Sequence, residues 1–213
     1  MKLLHYPHAP YSRKVLLAAY EKEVSFDGEI CAPFERPAKE RLRALHPLAT
    51  VPLLLDGEET FTESSIIVEY FDLASKRGPL LVPHDAQVAL RARAIDRFAD
   101  AHLMSPTAYL AWSTRKPAEQ QNTEKIRAQR GVVDTALGFL DRWLAGSPFL
   151  VGDALTMADL SPVSAISCLL SDRTIPDLTP WPNVARWYEA MIGRPSFVAL
   201  LAECAKVPLP PGF

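Results

Sequence analysis

The sequence is short of the features that mark a metal site, a secreted scaffold or a membrane protein. Its 213 residues hold three cysteines, Cys31, Cys168 and Cys204, widely separated and without a C-x-x-C pair. Scattered thiols in odd number fit a reducing cytoplasm and exclude a disulfide framework. The five histidines form no i, i+4 pair, so no metal site is expected. No apolar run approaches the length of a bilayer span, and Met1 leads straight into strand-like sequence, so neither a membrane segment nor a signal peptide is expected. Charge of one sign is lacking too. Lys and Arg total 23 against 25 Asp and Glu, for a net charge of −2, which gives no electrostatic case for nucleic acid or an anionic membrane. There is no glycine-rich phosphate loop, no Ser-His-Asp arrangement and no internal repeat. What remains is 48% hydrophobic, an ordinary globular composition long enough for two small domains or one large one. Proline alone is plentiful, 19 residues, mostly at element boundaries.

The most informative stretch runs from Ala49 to Tyr70. Leu53 to Leu55 meet Asp56-Gly57, a dipeptide favoured in two-residue hairpin turns because the turn needs positive φ. The chain returns through Glu59 to Phe61. Ile66, Ile67, Tyr70 and Phe71 then follow at helical spacing behind the cap candidates Thr62-Glu63-Ser64. Pro52 opens the first of these strands, where it cannot donate to a ladder. Glu63-Ser64 stands at a helix start, where free N–H groups and the dipole favour a bound carboxylate.

Taken in order, Lys2 to Tyr6 reads as a strand, followed by the loop Pro7-His8-Ala9-Pro10. A helix then opens at Tyr11-Ser12-Arg13-Lys14 and closes at Glu21 to Glu23. Val24, Phe26 and Ile30 mark a second strand broken near Gly28, so a parallel crossover is expected. A short helix is expected from Ala38 to Leu45. Residues 76–84, with Lys76-Arg77-Gly78-Pro79 and Pro83, break the pattern as a linker. The rest reads as helix. Val88, Ala92, Ile95, Ala99 and Leu103 form one apolar stripe, and Ile126, Val133, Leu137, Leu140 and Leu144 another. Pro106 is expected to kink or end the first of these helices. Thr156-Met157-Ala158-Asp159 is a capping-box variant, with Leu155 and Leu160 placed as its hydrophobic staple.

Val-Pro, an apolar strand, an Asp-Gly turn and Thr-Glu-Ser-Ser-Ile-Ile-x-Glu-Tyr together closely resemble the glutathione-binding half of soluble glutathione transferases. Gly152 to Asp159 resembles that family's folding motif in its helical domain, and Trp181-Pro182 to Trp187 with Arg194-Pro195 its last helices. The resemblance covers nearly the whole chain. It implies an α/β thioredoxin-like domain at residues 1–75, a linker at 76–84 and an all-helical substrate-binding domain at 85–213. It also implies a cis Val51–Pro52 bond, Val51 and Pro52 on the cysteinyl part of glutathione, and Glu63 and Ser64 on its γ-glutamyl end. The co-substrate is then glutathione with no metal, the second substrate a small hydrophobic electrophile, the assembly a homodimer and the setting detoxification in the cytoplasm.

The implied reaction is attack by glutathione thiolate. A free thiol has a pKa of about 8.5, so the protein must stabilise the anion, by a hydroxyl hydrogen bond or a helix N-terminus. Aligned on the family pattern, the usual catalytic Ser or Cys position is Ala9, which supplies neither group. Ser12 is the first replacement considered, with an N-cap as its other role, and Tyr11 the second. Tyr6, at the end of strand one, is a third, and the helix terminus and backbone alone are a fourth. Arg13 and Lys14 read either as added positive potential or as decoration of a solvated first turn. Thr50 departs from the Lys, Arg or Gln common before Val-Pro, with Lys39 or His46 as compensating cations. The second substrate is expected along the first long helix, near His102, Ser105, Tyr109 and Trp112. Two rival functions stay open: glutathione-dependent isomerisation or dehalogenation, and a non-catalytic fold that binds a ligand or partner.

Overall fold

The computed structural model describes residues 1–207; the last six residues of the expected helical domain lie outside the described residues. The first half builds one mixed sheet. Strand β1 (Lys2–His5) pairs in parallel with β2 (Asp27–Ile30) and antiparallel with β3 (Leu53–Asp56), which pairs antiparallel with β4 (Glu59–Phe61). The order is β2-β1-β3-β4. Strand alternation gives the sheet two apolar faces. Leu3 and Leu54 enter the main core, while Leu4 and Leu53 join Cys31, Leu42 and Ala49 in a smaller cluster on the other face, with α2 (Arg36–Leu45) supplying Leu42.

The β3–β4 hairpin pairs Asp56 with Glu59, so Gly57 and Glu58 are its two turn residues. The turn thus sits one residue later than the Asp-Gly reading. Gly57, at φ +59, takes the first central position, where the type with a single left-handed residue wants glycine.

Helix α1 (Pro10–Glu21) starts with proline at its first position, where the missing N–H costs nothing. It packs against α3 (Ser64–Ala74) on the sheet side and against α7 (Met157–Ser171) and α9 (Pro195–Ala205) on the other. The helical half adds α4 (Ala86–Ala99), α5 (Ser105–Ser113), α6 (Thr123–Trp143) and α8 (Pro182–Ile192). Helix α7 is apolar or small all round and lies at the centre, with nearly every residue buried. Its N-terminus carries the full capping box. Thr156 Oγ1 accepts from the Ala158 N–H, and Asp159 reaches back to the Thr156 N–H at 3.1 Å.

Between α4 and α5 the chain does not break at Pro106. It passes through one π-helical turn, Asp100–Met104, in which the Ser105 N–H bonds the Asp100 carbonyl. Proline removes the N–H that would bond four residues back, and a widened turn just ahead absorbs the mismatch.

The linker is pinned rather than loose. Asp72 accepts from the Leu81 and Val82 N–H groups, each at 3.1 Å, and Lys22 Nζ pairs with Asp72 at 2.9 Å and donates to the Pro79 carbonyl. Gly78, at φ +64, passes so close to the end of α1 that an added Cβ would lie 1.8 Å from the Glu21 carbonyl oxygen. Gly78→Ala is therefore expected to lower stability by about 2 kcal/mol or more, from a left-handed strain and a backbone clash together. Urea unfolding midpoints of the two proteins check this.

Candidate active site

Two helix N-termini and one strand entrance meet on the open side of the sheet. The Val51–Pro52 peptide is cis and leads into β3. The Leu4–Leu53 pairing, carried two residues on, brings half-buried Val51 alongside Tyr6, where the loop to α1 departs. Helix α3 begins at Ser64, with exposed Glu63 in extended geometry as its N-cap and no side-chain cap bond. Its first-turn N–H groups have no intrahelical acceptor and face outward with the positive end of the dipole. Ser64 is buried at that start.

Helix α1 offers a second uncapped terminus. Ala9 is its N-cap, extended at φ −83 and ψ 133, with its own N–H bonded to the Tyr6 carbonyl at 2.8 Å. Pro10 has no N–H, so Tyr11 and Ser12 carry the first backbone donors. The Tyr11 ring leans toward α3 and α4. Its hydroxyl reaches the Asp100 carbonyl at 3.5 Å, and burial with the nearby Asp100 and Glu63 charges pushes its pKa up to about 12, so it remains a neutral donor.

Ser12 is enclosed. It is 0% exposed, and its Oγ accepts the Tyr6 N–H at 3.1 Å, clasping the loop between β1 and α1. Tyr6 is also buried, and its hydroxyl has no hydrogen-bond partner among the described residues. Burial raises its pKa. Its ring meets His8 and Phe34 edge-on, each at 5.4 Å.

The expected substrate residues on the long helix do not share a face. Trp112 stacks on Phe34 at 6.5 Å, so an aromatic wall of Tyr6, Phe34 and Trp112 spans from β1 to α5. His102 is exposed and pairs with Phe98 at 5.0 Å, and Tyr109 lies under the Lys125 ammonium on α6. One extra residue in the π turn rotates everything after it by about 100° relative to an unbroken helix, which separates residues that α spacing would align. Lys39 is exposed, and His46 closes α2, with its Nδ1 buried and unpartnered among the described residues.

Arg13 and Lys14 are not solvated. Lys14 is 0% exposed, with Nζ 2.8 Å from Asp96, 3.3 Å from Asp100 and 2.7 Å from Ser65 Oγ. Ser65 and Ser161 donate to Asp96 at 2.6 and 2.7 Å. This cluster joins α1, α3, α4 and α7 directly beneath the α3 terminus. Arg13, 4% exposed, donates from Nε to the Pro7 carbonyl and from Nη1 to Ser167 Oγ. The sequence carried one signal for the first cluster. Asp96 and Asp100 sit beside the apolar stripe of α4, and two carboxylates on a buried face require a buried cation.

Among the described residues no group of three metal-ligating side chains is found, and no helix is long and apolar enough to cross a membrane.

A mixed four-stranded sheet followed by an all-helical half, with a cis proline before β3 and two uncapped helix starts, defines a thioredoxin-like domain joined to a helical domain. The family profile for the glutathione S-transferase N-terminal domain matches residues 3–78, and that for the C-terminal domain residues 100–195. The chain is 28% identical over 199 residues to an uncharacterized GST-like protein, YibF, of Escherichia coli K12, covering 92% of this chain and 96% of that one. It is 30% identical over 199 residues to a probable maleylacetoacetate isomerase of Caenorhabditis elegans, covering 92% and 91%. A glutathione S-transferase of Methylobacillus flagellatus KT, solved with glutathione bound, superposes with a TM-score of 0.83 at 27% identity, covering 93% of this chain and 98% of that one. The chain belongs to the glutathione S-transferase family.

Proposed function

We propose that this protein binds glutathione across the two open helix termini and directs its thiolate onto a small electrophile. The single observation that carries the reading is the pair of uncapped N-termini, at Ala9 and Glu63, beside the cis Val51–Pro52 peptide. Glutathione has a carboxylate at its γ-glutamyl end and a thiol at its centre, and each is an anion that a helix start favours. The α3 start at Glu63 and Ser64 takes the γ-glutamyl group, Val51 and Pro52 the cysteinyl backbone, and the α1 start the sulfur.

With alanine at position 9, the thiolate rests on the Tyr11 and Ser12 backbone N–H groups and the α1 dipole, with Tyr11 supplying a neutral phenol nearby. A thiol pKa lowered by about two units corresponds to about 2.7 kcal/mol of differential stabilisation, and a favourable helix terminus supplies up to about 2 kcal/mol of it. Ser12 then acts as the loop clasp. Trp112 and the aromatic wall border the second substrate. The exposed apolar residues Ile66, Leu73 and Leu90, at 50%, 74% and 62%, support a homodimer built on α3 and α4.

A glutathione titration followed by ultraviolet thiolate absorbance, on wild type and Ser12→Ala, tests this. A band near neutral pH that survives the substitution, with a lower melting temperature, is the expected result. Loss of the band returns the hydroxyl role to Ser12. Binding without a band removes catalysis, and no binding overturns the assignment. Likeness to a probable isomerase favours one second reading, in which glutathione adds and is released; turnover without glutathione consumption identifies it.

A further inference from the structure

Behind the loop between β1 and α1 lies a cavity of about 520 Å³, walled by His8 and Arg13 from the first half and by Arg115, Cys168, Asp172 and Cys204 from the helical half. Small-molecule sites run from about 300 to 1,000 Å³, so this one has room for a substituted aromatic ring. Ala111 and Leu201 add apolar surface.

Its polar chemistry is one-sided. Arg13 is 96% enclosed by the protein's own atoms, yet among the described residues no carboxylate lies within 4 Å of it. A buried guanidinium without an anion is costly, and Arg13 has only the Pro7 carbonyl, Ser167 Oγ and the Cys204 sulfur as acceptors. Arg115 enters the same cavity, and Asp172, the one carboxylate in the wall, is 4.0 Å from it and also accepts the Thr174 N–H. Two cations thus face one shared carboxylate, leaving an excess of one positive charge before exposed Arg173 at the rim is counted. His8 reports the same field, since Arg13 and Arg115 both disfavour its charged form.

The two thiols do not make this a reactive-cysteine site. Burial pushes Cys168 up to about 11 and raises Cys204 as well. Their sulfurs point at the His8 and Pro7 carbonyls, at 3.7 and 3.3 Å, so both act as packing groups. The cavity binds and does not attack.

We propose that this cavity holds the carboxylate of an anionic electrophile, anchored by Arg13 and Arg115, so that the second substrate is a carboxylated rather than a neutral hydrophobic molecule. The proposal rests on the glutathione reading above and narrows its substrate class. His8, in the cavity wall, immediately precedes Ala9, the N-cap of the terminus assigned to the sulfur. An anchored carboxylate therefore places its attached ring next to that sulfur.

The probe pair is a chlorodinitrobenzene bearing a ring carboxylate and its methyl ester. With either, the glutathione sulfur bonds the chlorine-bearing ring carbon, the C–Cl bond breaks with its electron pair leaving on chloride, and the thiol proton goes to solvent. Rates are divided by the uncatalysed rate of each compound. Charge-assisted hydrogen bonds discriminate by about ten- to a hundredfold, so kcat/KM for the acid should exceed that for the ester by about tenfold. Arg115→Gln should cut this ratio several-fold, and Arg13→Gln should bring it close to one. Because Arg13 also braces the loop, calorimetric binding of unreactive dinitrobenzoate to the unliganded wild-type and Arg115→Gln proteins supplies a second reading, expected to weaken by about tenfold in the variant. A ratio near one in wild type, or dinitrobenzoate affinity unchanged by Arg115→Gln, overturns the proposal while glutathione binding stands. Loss of glutathione binding itself strikes the parent reading, and the dinitrobenzoate titration still decides this one.

Discussion

Lys14→Met is expected to lower unfolding free energy by about 3–5 kcal/mol, the range for removing one partner of a buried ion pair. For a chain of this length that is a fall of about 10 °C in melting temperature. Methionine fills the volume, so packing is not the cause. The loss comes from leaving Asp96, whose side chain is 3% exposed, and Asp100, 14% exposed, without their cation. Desolvation already pushes the Asp100 pKa up, and Lys14 is the main influence opposing it. A second substitution, Asp96→Asn, in the Lys14→Met background should recover part of the loss, and a double-mutant cycle by urea denaturation reads the coupling. A cost under about 1 kcal/mol would falsify the ion-pair account. Since Ser65 in the first turn of α3 is held by the same cluster, glutathione affinity should fall with stability.

The second large effect is at Asp159. Its carboxylate is fully buried and accepts from the Leu150 N–H at 3.0 Å, the Thr156 N–H at 3.1 Å and Trp187 Nε1 at 3.1 Å. Asp159→Ala strands three buried donors and removes half of the capping box, at an expected cost of about 4 kcal/mol or more. Asp159→Asn keeps the shape and one acceptor, and should cost roughly half as much. Burial raises the carboxyl pKa to about 6, with the hydrogen bonds opposing a further rise. A folded pKa above the unfolded one means that the protonated form favours the native state below about pH 4, and that this contribution fades as pH rises through about 6. The advantage of wild type over Asp159→Asn should therefore narrow between those limits and stay constant above them. Guanidinium unfolding of both proteins at several pH values measures it, and an advantage that widens with pH would contradict the assignment.

Both effects bear on what a sequence can disclose. The hairpin, the helix after it and the capping box were legible because each is local: alternation, a turn glycine and a cap lie within a few residues of one another. The α4 and α6 stripes were legible by their period. The burial of Arg13 and Lys14 was not, because charges in a first turn look solvated until helices about eighty to a hundred and fifty residues away close over them. Pro106 disclosed where the long helix is disturbed but not how, and the π turn that resulted reassigned the faces of His102, Tyr109 and Trp112. Ser12 was legible as a cap-type residue at a helix start. Only the fold reveals that its acceptor role goes to the Tyr6 N–H.

The main core runs without interruption from Leu3 and Leu54 through α1 to Leu169, Trp187 and Leu200. Chain order and core order therefore disagree, and this matters while the protein is being made. The sheet leaves the ribosome first, but the outer side of α1 has no cover until α7 and α9 have been synthesised more than a hundred residues later. Domains that fold as units during synthesis finish N-terminal first; here the first half must wait, with Leu17, Ala18 and buried charges exposed. The nascent chain is thus a client for a chaperone until translation is nearly complete, and a ribosome stalled before residue 157 carries a half-protein that cannot close.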